Sequence, residues 1–122
     1  SVYVPALEHM LARMAVLDPD VIVAEAGASP LEPYNGAAAF ARLAPLVRLS
    51  ILCASDPYAV RGVMDAFGIQ PDLVAGPAGN TTAAVELVQK LTGVRALNLL
   101  ERGGAEELRM LLDERIVGPC RS

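Results

Sequence analysis

Glu25 closes a short aliphatic run, Val21-Ile22-Val23-Ala24. A carboxylate at the end of a hydrophobic strand is costly unless it is paired, protonated or bound to metal. Glu25 is therefore the candidate metal-side acid, holding Mg²⁺ directly or through water. The competing role is a helix cap, or an ion pair with an arginine such as Arg61. A second cluster is Gly76-Pro77-Ala78-Gly79-Asn80-Thr81-Thr82, small residues leading into a helical pattern. Backbone N–H groups and the helix dipole favour an anion at such a place. Gly76 and Gly79 would let the ligand approach, and Asn80 or Thr81 would touch it. A plain strand-to-helix turn with a polar cap accounts for the same residues. Asp56 stands before Pro57 and is either an N-cap or a ligand contact. Ser29, Tyr34 and Asn35 lie in a Pro-rich stretch. They line a pocket or only shape the loop.

The chemistry this chain lacks is equally informative. His9, beside Glu8, is the single histidine, so a Ser-His or Cys-His pair is not expected. Of the two cysteines, Cys53 falls in an apolar run and reads as a small core residue. Cys120 lies near the C-terminus, and no CxxC is present, which excludes an ordinary structural zinc site. There is no GxxxxGK[ST], and Lys90 sits near a helix end. Neither GxGxxG nor the GxSxG elbow occurs.

These residues must be held by secondary structure, and the pattern alternates. Short apolar runs at 21–26, 48–54, 72–75 and 94–99 predict buried strands. Runs apolar throughout suit a parallel sheet covered on both faces. Helical patterns fall at 5–17, 36–46, 57–67, 81–91 and 105–115. In the first, Leu7, Leu11, Met14 and Leu17 form one stripe. Asp56-Pro57 starts the third and Gly68 stops it, while Thr92-Gly93 stops the fourth. Strict alternation predicts an α/β fold: three α/β/α layers around about four parallel strands, Rossmann-like or P-loop-like. Ligands of such sheets bind at the carboxyl ends of the strands, where the candidate loops fall. Residues 1–122 read as a single α/β domain. The opening helix reads as though cut from a larger α/β domain, and Ser1 in place of Met reads as a processed product or a fragment.

Composition narrows the classes further. Hydrophobic residues make up 53% and charged residues 20%, the balance of a globular chain. A net charge of −4 argues against nucleic acid and anionic membrane surfaces as partners. Mean hydropathy is +0.40. Even so, no apolar run approaches the roughly 20 residues of a membrane-spanning helix. Two cysteines without a signal peptide predict a cytoplasmic location. Nine arginines against one lysine suggest a GC-rich bacterial genome.

The segment Asp20-Val21-Ile22-Val23-Ala24-Glu25-Ala26-Gly27-Ala28 resembles the acidic strand of P-loop enzymes of the dethiobiotin-synthetase and cobyrinate-amide-synthase type. Those read as an aliphatic strand followed by Glu-Gly-Ala-Gly. Glu25 and Gly27 match, and Ala26 stands where the family has Gly. The whole chain also looks like the C-terminal part of uncharacterised P-loop proteins. The resemblance implies that Glu25 helps hold Mg²⁺ near nucleotide phosphates. It also implies that the Walker A region lies upstream, so this chain alone is not catalytic. Mg²⁺ and a nucleotide would then bind the full-length protein, not this chain tightly. Two alternatives stand beside this reading. One is a stand-alone flavodoxin-like module for an anion or small ligand, and the other is a homo-oligomerisation domain. A homodimer is the expected partner arrangement for the latter, because a thin sheet leaves an open edge.

Overall fold

The computed structural model describes residues 2–27 and 31–117. The chain divides into two compact units, Ser1–Val47 and Arg48–Ser122.

The first unit is helical. Helix α1, Tyr3–Val16, follows the Leu7-Leu11-Met14 stripe, whose side chains are half-buried. Helix α2, Gly36–Leu43, runs on into a 3₁₀ turn at Ala44–Leu46, where Pro45 tightens the backbone. The α2 face carrying Ala38, Ala39 and Leu43 is also half-buried, and α1 and α2 pack together. Arg42 Nε donates to Glu8 Oε1 at 2.8 Å across the pair. Both side chains remain about half exposed, so this ion pair contributes at most about 1 kcal/mol. No described residue of this unit is buried.

The run expected as a strand at 21–26 is neither strand nor helix. Val21 and Ile22 are exposed, and Val23 is 89% exposed. A β-branched run becomes a strand where neighbours pair with its backbone and cover its face. Here neither condition is met.

The second unit carries the sheet and the core. Strand β1, Ile51–Cys53, leads through α3, Pro57–Phe67, to β2, Leu73–Ala75. The strands are parallel, with Leu52 opposite Val74 and Cys53 opposite Ala75. A 3₁₀ turn at Gly76–Gly79 leads into α4, Thr82–Thr92. The returning chain touches β2 at a single bridge, Val74 to Ala96. Val74 N–H donates to Arg95 O at 2.9 Å, and Leu97 N–H to Val74 O at 3.0 Å. Helix α5, Arg102–Leu112, ends in a π-helical turn, Asp113–Val117. The chain is thus α/β. Of the four expected runs, two are paired strands, 94–99 makes one bridge, and 21–26 is irregular.

The local signals explain the helices. Asp56 caps α3 by accepting from Ala59 N–H, with Pro57 at the first turn. Gly68 ends that helix in the left-handed conformation, at φ 61°. Thr81 caps α4 by accepting from Ala84 N–H. The amphipathic faces of α3 and α4 then pack together over Val74. Val60, Met64, Val74, Ala78, Val88, Val94 and Ala96 form the cluster, with Leu52 and Val85 against it. Leu73 and Ala75 point the other way along the pleat and are buried too. So β2 is covered on both faces, as a parallel strand should be. On β1 only Leu52 turns toward the core, while Ile51 and Cys53 are exposed. Cys53 is therefore not the core residue its apolar run suggested. Among the described residues, no helix is long and apolar enough to cross a membrane.

Gly79 is fixed by a close approach. A Cβ there would lie 2.8 Å from the carbonyl oxygen of Leu97. Backbone on the bridged segment cannot give way cheaply. Gly79→Ala is therefore expected to destabilise by about 1–3 kcal/mol. Gly103, on α5, has nothing within 4 Å of its Cβ position. Gly103→Ala should instead be neutral or stabilise by up to about 1 kcal/mol, from helix propensity. Urea midpoints of the two variants check this; a Gly79→Ala midpoint matching wild type would refute the close packing.

Candidate functional site

The loops at the carboxyl ends of β1 and β2 lie side by side. Ala78 N–H donates to Ala54 O at 3.0 Å, and a Cβ placed on Gly76 would lie 3.5 Å from Cys53 Cβ. This brings Asp56, Gly76, Gly79, Asn80 and Thr81 to one end of the sheet in the second unit. A side chain missed at sequence level helps hold this end together. Asn98 Nδ2 donates to Asn80 O at 3.3 Å, while its Oδ1 accepts from Leu100 N–H at 3.1 Å. Asn98 so ties the Gly76–Gly79 turn to the segment leading into α5. The available signal was a lone amide inside the apolar run Ala96-Leu97-Asn98-Leu99-Leu100.

Much of the polar capacity here is already used. Ala78 and Gly79 are buried, and Asn80 N–H donates to Pro77 O at 3.4 Å. Thr81 Oγ1 accepts from Ala84 N–H at 3.1 Å. Asp56 Oδ1 accepts from Ala59 N–H at 2.9 Å and Oδ2 from the Ser55 hydroxyl at 3.0 Å. The Ala59 N–H, then the Ser55 hydroxyl, hold the Asp56 carboxyl below the ordinary aspartate value. Asp56 and Thr81 are helix caps in this geometry. An anion at this end would compete with bonds already made at Ala78 and Asn80.

The remaining candidates lie in the first unit. Glu25 sits in the exposed irregular stretch, so the desolvation that would have demanded a metal is absent. Arg61, the suggested partner for Glu25, pairs instead with Asp65 one turn along α3, at 3.1 Å. Tyr34 is exposed in a turn, its N–H donating to Glu32 O at 2.8 Å. Asn35 precedes α2 in the left-handed conformation, at φ 62°, and its side chain makes no cap bond. Ser29 lies outside the described residues. His9 lines an open hollow on α1 with Ala6, Met10, Arg13, Met14 and Leu17. Among the described residues, no three His, Cys, Asp or Glu side chains converge as metal ligands would.

A polar clasp lies at the opposite end of the strands. Asp72 Oδ2 accepts from Ser50 N–H at 2.8 Å and from the Ser50 hydroxyl at 3.0 Å. Its Oδ1 accepts from Arg115 Nη1 at 3.3 Å. Burial raises the Asp72 carboxyl, but the Ser50 bonds and the Arg115 charge outweigh it, leaving it below the ordinary 3.8. A carboxyl depressed in the folded state stabilises above its unfolded-state value, and the contribution fades as pH falls through the folded one. Stability should therefore be flat near neutrality and fall below about pH 4, with Asp72→Asn showing a shallower acid-side loss. Denaturant midpoints against pH measure this; equal slopes for the two proteins would exclude the clasp as a contributor.

No protein family, curated protein or solved structure matches this chain.

Proposed function

We propose that this chain is the C-terminal α/β portion of a P-loop NTPase-like protein, contributing non-catalytic ligand walls. The observation that carries the reading is the outer edge of β1. Two parallel strands of three residues each make a sheet thinner than the usual roughly four to six strands. Parallel sheets occur with both faces covered and several strands. Among the described residues no strand pairs with the far side of β1. On this reading further strands continue the sheet beyond β1, giving about four in a three-layer α/β/α domain. Phosphate-binding lysine and Walker A loop come from upstream sequence. Glu25 offers an exposed carboxylate for Mg²⁺, with nucleotide and metal held by the full-length protein. Asp56, Gly76, Gly79, Asn80 and Thr81 are the candidate ligand residues of the second unit, taken by itself.

The test begins with the coding region upstream of Ser1. A strand pattern followed by GxxxxGK[ST] in frame is the expected finding. Mg²⁺–ATP titrated calorimetrically into the full-length product should then bind, and Glu25→Gln should weaken binding at least about tenfold, or about 1.4 kcal/mol. Upstream sequence without that motif would overturn the proposal. Unchanged binding by Glu25→Gln would remove Glu25 from the site. A second reading draws on the same open edge: a further copy of the chain completes the sheet. It requires a dimer by light scattering at micromolar concentration, and a monomer there rejects it.

A further inference from the structure

We draw no further inference here: the strongest candidate, the exposed apolar face of α1 around Ala6, Met10 and Leu17, carries nothing because nothing in the structure shows what covers it.

Discussion

Val74→Ala is expected to lower stability by about 2–3 kcal/mol, and Val74→Asp to abolish the cooperative fold of residues 48–117. Val74 is fully buried at the middle of β2, opposite Leu52 on one side and bridged to Ala96 on the other. Its side chain lies in the cluster with Val60, Met64 and Val88 from α3 and α4. Removing two methyl groups there loses their transfer free energy and leaves a cavity in a small core. Placing a carboxylate there buries a charge with no partner. Small domains hold only about 5–15 kcal/mol in total, so the aspartate exceeds what the unit can absorb. The matched control is Val23→Ala, the same chemical change at a residue 89% exposed. It should stay within about 0.5 kcal/mol of wild type. Urea unfolding followed by circular dichroism reads all three. If Val23→Ala costs as much as Val74→Ala, residues 21–26 are a buried strand after all, and the reading of Glu25 as exposed falls with it.

That pair of valines shows where sequence reasoning succeeds and where it stops. The bounds of α3 were legible because Asp56, Pro57 and Gly68 act on backbone within one turn of themselves. Thr81 and Gly93 mark α4 in the same local way. Strands have no such self-contained signature. Val21–Val23 and Ile51–Cys53 look alike as short apolar runs, yet only the second finds a partner, 22 residues on at Leu73. The run around Ala96 reaches β2 for a single bridge before Asn98 turns the chain away. The site divides likewise. Capping roles for Asp56 and Thr81 could be read from spacing. The contacts of Asp72 with Ser50 and Arg115, and of Asn98 with Asn80, span 18 to 43 residues and leave no periodic trace. Glu25 was singled out on an assumed burial cost, and the structure removes that cost by leaving its run uncovered.

Amide hydrogen exchange should divide the intact chain at Val47. Protection at Val60, Met64, Val74 and Val88 should approach the limit set by global unfolding, because their side chains form the core. Amides of α1 and α2 are hydrogen-bonded within their helices, but no described side chain of their unit is buried. Helices of 14 and 8 residues are marginal in water without an apolar face to bury. What joins them is a pair of half-buried faces and one half-exposed ion pair. Opening this unit should therefore cost less than global unfolding by at least about 3 kcal/mol, a difference on the order of a hundredfold in exchange rate. Arg42→Ala should widen that gap only slightly, since the Glu8 pair contributes at most about 1 kcal/mol. Brief protease treatment of the intact chain should cut first within residues 18–27, which are exposed and outside any helix or strand. The surviving fragment should begin beyond that stretch and retain the 48–117 core. Equal protection in α1 and in β2 would mean that residues 2–47 fold as one cooperative body with the sheet. The residues to test first would be Met10 and Leu17, which are 51% and 81% exposed.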